Sequence, residues 1–226
     1  MQPYFMPYIG YWQLLGAVDA FVLYDNIQYT KKGWINRNRF LKNGQDWLFT
    51  IPLKKDSEYL AVAQRSIADN FDCDKLLNQL AASYRKAPFF ARVFPVVSSI
   101  IQAGHRNLFE YIHHSIRVTA DFLEIKTPLV ISSTVAIDHS LRGEQKVLAI
   151  CKALGATTYI NAIGGQELYS PAAFGTEGIA LKFIKTTPMA YPQFGGEFVA
   201  NLSIIDVMMF NSQESIRAML GHYDLV

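Results

Sequence analysis

Glu144-Gln145-Lys146-Val147-Leu148-Ala149-Ile150-Cys151-Lys152-Ala153-Leu154-Gly155-Ala156-Thr157-Thr158-Tyr159-Ile160 decides the fold class. Glu144 to Leu154 reads as a helix that Gly155 caps, and Thr157 to Ile160 as the strand that follows it. Leu129 to Ile131, just after Pro128, reads as a strand, and Gly178 to Ile184 holds another. Strand, helix, strand, connection and strand in that order argue for a parallel α/β unit.

Upstream the texture differs. Asp72 to Lys86 places Leu76, Leu77, Leu80 and Tyr84 at helical spacing. Pro88 is placed to open a second helix, Phe89 to Ala103, with Gly104 at its end. Asn107 to Leu123 repeats the pattern. Nearer the start, Ile35 to Leu41 and Asp46 to Ile51 flank Lys42-Asn43-Gly44-Gln45. Asn-Gly between two strand-like runs predicts a hairpin, because both residues tolerate positive φ. Tyr11 to Gly16 reads as a short helix and Ala20 to Tyr24 as a buried strand. Ser203 to Phe210 and Gln213 to Leu220 read as two short helices. The expected fold is α/β, with a Rossmann-like, mostly parallel sheet, one β-hairpin and an inserted helical segment. It spans residues 1–226 as one domain, divisible into 1–70 (α/β and hairpin), 71–127 (helical) and 128–226 (α/β).

With 226 residues, half of them hydrophobic, the chain can bury a core without disulfides or metal. A charged fraction of 18% is too low for a disordered chain. A net charge of +2 gives no overall case for a polyanion partner, so DNA is not expected. Cys73 and Cys151 have no C-x-x-C spacing and read as reduced thiols, Cys151 buried on a helix. Met1-Gln2-Pro3-Tyr4 has no basic region followed by an apolar one, and no apolar run is long enough to cross a bilayer. The expectation is a soluble cytoplasmic protein that does not insert in a membrane.

The near-neutral total hides a local excess. From Lys31 to Lys55 the basic residues are Lys31, Lys32, Arg37, Arg39, Lys42, Lys54 and Lys55, against Asp46 alone, a balance of +6. The first 60 residues also hold 13 of the 30 aromatics and all three tryptophans. Trp34-Ile35-Asn36-Arg37-Asn38 combines an indole, a guanidinium and two carboxamides, groups suited to stacking and forked hydrogen bonding. On a strand Asn36 and Asn38 share a face, where they must bond either backbone or a ligand. A solvated hairpin is the structural alternative for the charges. Asp25 follows a strand, where a general base or an amine or ribose anchor sits in open α/β sheets; a turn or helix cap is its alternative. Gln28 and Tyr29 lie in the loop after it.

Other chemistry is thinner. His113 and His114 are adjacent on a helix, about 100° apart, and cannot easily share a metal. No Cys/His cluster with zinc spacing occurs, so no metal or cofactor is expected. Gly164-Gly165 follows a strand and lets backbone amides approach an anion, or simply makes a tight turn. Ser203 is placed as an N-cap with Asp206 completing a capping-box-like pair, or Asp206 reaches into a cleft. No serine triad is proposed.

Several stretches together resemble the WbqC-like protein family. They are Gln2-Pro3-Tyr4 with Pro7-Tyr8-Ile9-Gly10-Tyr11, Val22-Leu23-Tyr24-Asp25 with Gln28-Tyr29, and Lys31-Lys32-Gly33-Trp34-Ile35-Asn36-Arg37-Asn38. Trp47 to Pro52, Tyr84 to Phe90, Gly155 to Gly165 with Leu168-Tyr169, and Leu202 to Asp206 extend the likeness to nearly the whole chain. The resemblance implies a bacterial protein of O-antigen or other surface-polysaccharide context. It also implies acyl transfer, such as glycyl, onto an amino sugar, without bringing over a catalytic set. Family members commonly carry a short apolar strand before Gln-Pro-Tyr, so either that strand is missing from this sequence or the start differs. They also commonly have Asp-Asp where Asp25-Asn26 stands. A more distant likeness, to nucleotidylyl transferases, lies in Tyr8-Ile9-Gly10-Tyr11 and Ile131-Ser132-Ser133-Thr134. The histidines of their His-x-Gly-His motif are absent, so nucleotide-binding ancestry is implied and nucleotidylyl transfer is not.

The expected function is a transferase acting on a nucleotide-linked, phosphate-bearing amino sugar. Asp25 is the expected general base. Substrate binding is expected from Gln2, Tyr4, Gly10, Tyr11, Gln28, Tyr29, Lys31, Lys32, Trp34, Asn36, Arg37, Asn38, Gly164, Gly165 and Asp206, with Arg37, Lys31 and Lys32 on the diphosphate. The alternatives are a non-catalytic nucleotide-sugar or partner-binding protein, and a nucleotide-binding relative of the nucleotidylyl transferases. RNA is not an expected partner, an aminoacyl-tRNA donor excepted.

Overall fold

A computed structural model describes residues 1–187 and 189–226. Along the chain come α1 (Ile9–Gly16), β1 (Phe21–Leu23), β2 (Arg37–Lys42), β3 (Gln45–Thr50), α2 (Cys73–Tyr84), α3 (Phe90–Ile101) and α4 (Leu108–Phe122). After them follow β4 (Leu129–Ile131), α5 (Gly143–Ala153), β5 (Thr158–Ala162), α6 (Pro171–Thr176), β6 (Ala180–Thr186), α7 (Ile204–Phe210), α8 (Gln213–Leu220) and β7 (Tyr223–Leu225).

Local chemistry places most of these ends. Asn43 and Gly44 adopt φ of 53° and 75°, the positive pair that a two-residue hairpin turn requires. Arg37 therefore registers with Thr50 and Lys42 with Gln45. The side chains of Asp72 and Asn107 accept from Lys75 N and Glu110 N, capping α2 and α4. Ser170 caps α6 with Pro171 in its first turn, so the connection expected before the strand in Gly178 to Ile184 holds a helix of its own.

The class is mixed α/β, with the hairpin and the helical middle in their expected places. The expected continuous sheet is the point of difference. β1 pairs in parallel with β4, and β5 pairs in parallel with β6, whose far end takes antiparallel β7. Among the described residues these ladders, with the hairpin, form three separate sheets. β1 and β4 are short for a chemical reason. Asp25 accepts from Ser132 Oγ at 2.8 Å and Ser133 N at 2.9 Å, turning β4 into a 3-10 turn, Ser132–Thr134.

The main core gathers around the aromatic start of the chain. Phe5 stacks on Tyr111 at 5.1 Å, and Trp12, fully buried, donates its indole N–H to Pro7 O at 3.0 Å. Asn38 donates to the buried carbonyls of Phe5 and Met6, at 3.1 and 2.7 Å. A smaller cluster of Val147, Cys151, Phe174 and Ile179 packs with Tyr24, Tyr159 and Tyr169 between α5, α6 and β5.

Asp206 corrects the capping-box expectation. Ser203 caps α7 through its hydroxyl, but the fully buried Asp206 carboxylate turns to other donors. It accepts from Tyr84 OH at 2.8 Å, Tyr191 OH at 2.7 Å and Gln193 Nε2 at 2.6 Å. Burial raises its pKa while the three donors oppose the rise. Tyr84 OH also accepts from Leu41 N at 2.8 Å, so one carboxylate ties α2, β2, α7 and the 191–193 segment together. Tyr84→Phe leaves Leu41 N–H and one carboxylate lone pair unmatched. It is expected to cost about 1–3 kcal/mol, read as a lower urea midpoint at unchanged slope.

Candidate functional site

One cavity dominates the described surface. It has a volume of about 1340 Å³ and lies beyond the carboxyl ends of β1, β5 and β6, with the first turns of α1 and α5 in its walls. Ligands settle in this position in open α/β folds, because strand ends and helix N-termini converge there.

The floor is built from the start of the chain. Tyr8, Gly10 and Thr186 meet so closely that a Cβ on Gly10 would lie 2.6 Å from both Thr186 Oγ1 and the Tyr8 ring. Only glycine leaves room there for the Tyr8 ring beside Thr186. Gln2 accepts from Tyr4 OH at 2.9 Å, and Tyr11 OH donates to the Gln2 carbonyl at 3.1 Å. Tyr24, Tyr159 and Tyr191 stand in the walls. Burial raises the pKa of Tyr4, Tyr8, Tyr11, Tyr24, Tyr159 and Tyr191, so these residues present rings and neutral hydroxyls. Around the mouth, Trp34, Tyr59, Leu168 and Phe198 are exposed apolar groups.

One wall is polar. Lys146, on α5, is buried and donates from Nζ to Asn26 Oδ1 at 3.1 Å. Ser132 Oγ lies 2.8 Å from the same oxygen, and its one proton is shared between Asn26 and Asp25. With its oxygen so used, Asn26 turns Nδ2 to His139 Nδ1, 3.1 Å away. His139 Nδ1 is then the acceptor, which leaves the proton of the neutral ring on Nε2. Desolvation lowers the pKa of Lys146, and the neighbouring Arg142 charge adds to this while Asp25 opposes it.

The sequence-expected residues divide into two groups. Gln2, Tyr4, Gly10, Tyr11, Gln28, Trp34, Gly164 and Gly165 line the cavity. The space over Gly165 is filled by the Asn161 carboxamide, 2.7 Å from where a Cβ would stand. Asp25, Tyr29, Lys31, Lys32, Asn36, Arg37, Asn38 and Asp206 lie outside the lining. Asn36 accepts from Tyr29 OH at 2.8 Å and donates to Ile51 O at 2.7 Å, and Asn38 is spent on Phe5 and Met6. Both carboxamides thus take the backbone option rather than the ligand option. Arg37 donates to the carbonyls of Gly33 and Lys32 and holds its own turn, and Trp34 rests between the Arg37 and Arg39 guanidiniums.

The +6 stretch is partly neutralised in three dimensions. Lys31 pairs with Glu58 at 3.5 Å, Arg39 with Asp46 at 2.8 Å and Lys54 with Asp69 at 3.0 Å. Lys146, His139 and Arg142 are the wall residues that sequence reasoning missed. No motif marks them, and Asn26 lies 120 positions from Lys146. Among the described residues, no group of three His, Cys, Asp or Glu is disposed to hold a metal ion. No helix among them is long and apolar enough to cross a membrane.

Asp25 stands behind the wall, 6% exposed, and props the Ser132–Thr134 turn. Asp25→Asn keeps an oxygen for those donors and is expected to fold normally. Asp25→Ala strands Ser133 N–H and is expected to lose about 1–3 kcal/mol in thermal or urea unfolding. Equal stability of the alanine variant and the parent would refute the strut.

The chain has relatives among known proteins. It is 28% identical over 217 residues to an uncharacterized protein, Rv1507c, of Mycobacterium tuberculosis, a match that covers 93% of this chain and 91% of the relative. No solved structure matches the chain. The model of the WbqC-like protein family matches residues 2–218, and on that match the chain belongs to the WbqC-like family.

Proposed function

We propose that this protein is a cytoplasmic transferase of bacterial surface-polysaccharide biosynthesis. It moves an acyl group, such as glycyl, onto the amine of a sugar held on a nucleotide carrier. The observation that carries this reading is the cavity of about 1340 Å³ beyond the strand ends, where aromatic rings alternate with carboxamides. Flat rings suit a base or a sugar face, and carboxamides suit hydroxyls and amides. The volume exceeds the roughly 300–1,000 Å³ of an ordinary small-molecule site, which leaves room for donor and acceptor together. The resemblance of the whole chain to its family supports the polysaccharide context.

The chemistry asked of the site is aminolysis. The sugar amine attacks the acyl carbonyl, the C–N bond forms, and the bond from carbonyl carbon to the leaving oxygen or sulfur breaks. The leaving group departs with the proton that the amine sheds. The exchange is redox-neutral. Holding both reactants in one enclosed cleft supplies most of what such a step needs. Gln2, Tyr4, Gly10, Tyr11, Gln28, Trp34, Gly164 and Gly165 form the substrate surface in this proposal. Asp25 acts from behind as a positioning residue, through Ser132 and Asn26.

A second reading, a nucleotide-sugar-binding protein without turnover, is favoured by one observation: the Asp25 carboxylate is turned to Ser132 and Ser133 and not to the cavity. Calorimetry with a panel of nucleotide-linked amino sugars, followed by mass spectrometry of the bound sugar after acyl donors are added, separates the two. Binding with a mass gain on the sugar amine is the expected result. Binding with no gain from any donor selects the second reading, and no binding across the panel overturns both.

A further inference from the structure

Lys146 is a buried cation with too few partners. It is 7% exposed, lines the cavity and donates to the Asn26 carboxamide alone. No carboxylate among the described residues lies within ion-pair distance of Nζ. A buried ammonium is costly unless paired, so something anionic is called for on its open side. Asp25 offsets part of the charge from behind, but its carboxylate is bonded to Ser132 and Ser133.

Three further features lie at this end of α5, where His139, Arg142 and Gly143 line the cavity beside Lys146. Arg142 lies just before the first turn of α5, four residues ahead of Lys146, and both line the cavity. Arg142 forms no ion pair among the described residues. It is also the N-cap of α5, and its side chain accepts nothing, so the first-turn amides of Gly143, Glu144 and Gln145 donate to no protein acceptor among the described residues. Gly143 has φ of +53° and open space where a Cβ would stand, so a ligand can approach its backbone. His139, fixed by Asn26, completes the group.

We propose that the phosphate or diphosphate group of a substrate binds at this end of α5, held by Lys146, Arg142 and the first-turn amides. This gives the phosphate a place other than Lys31, Lys32 and Arg37, which lie outside the cavity. The anion site stands on the geometry of α5; only the identity of the carrier, a nucleoside diphosphate, rests on the proposed function. A lipid-linked diphosphate presents the same chemistry.

The test is calorimetric titration of inorganic pyrophosphate into the full chain. Lys146→Met is expected to weaken binding about tenfold or more, as loss of a charged hydrogen bond does. Arg142→Ala, at an exposed position, is expected to fold as the parent does and to weaken binding several-fold. Lys146→Arg restores most of the affinity, and Lys31→Met matches the parent. Circular dichroism checks each fold. Unchanged affinity in Arg142→Ala and folded Lys146→Met overturns the site, as does absence of pyrophosphate binding by the parent. Nucleoside diphosphate sugars and farnesyl diphosphate form the second arm. If pyrophosphate and farnesyl diphosphate bind through Lys146 and nucleoside diphosphate sugars do not, the anion site stands and the nucleotide carrier falls. If nucleoside diphosphate sugars bind equally well to parent and Lys146→Met, the site falls and the proposed function remains.

Discussion

The carbonyls of Phe5 and Met6 are buried where no strand can reach them, and the molecule is organised around supplying their donors. Asn38 provides its carboxamide N–H groups to both, and Ser203 Oγ donates to Met6 O at 2.7 Å. Met6 itself sits at φ of +46°, a conformation that a non-glycine residue holds only when its surroundings fix it. An orphaned carbonyl at that depth would cost more than the strain, so hairpin and α7 are locked onto the first segment of the chain. That lock sets Tyr8 and Gly10 against Thr186, and so places the floor of the cavity.

Two buried charges are treated in opposite ways. Asp206 is given three donors and closes a knot of α2, β2 and the 191–193 segment. Its requirements are met by the protein, and its place is structural. Lys146 is given one neutral acceptor and an opening toward the cavity. The fold satisfies the first fully and leaves the second sparsely met, on the wall of the cavity.

Much of the architecture could be read locally. The Asn43-Gly44 turn, the caps at Asp72, Asn107 and Ser203 and the apolar spacing of the helices each depend on a few neighbouring residues. Gly10 and the tyrosines around it, expected from the sequence as a binding surface, line the cavity. Less legible was how polar groups would be spent. Asn36, Asn38 and Arg37 have the chemistry of recognition, and the fold uses all three on its own backbone carbonyls. A carboxamide binds a carbonyl equally well whether it belongs to a ligand or to Phe5, so composition alone could not divide the two.

The sequence by itself determined the class of the fold, most of its helices, the hairpin, the family and the aromatic character of the cleft, because these follow from short-range spacing and residue type. Only the tertiary structure decided which charges line the cavity. Glu58 and Asp69 pair with Lys31 and Lys54, and α5 brings Lys146 to Asn26 across more than a hundred residues. Electrostatics acts through distance in space, and a count along the chain measures a different distance.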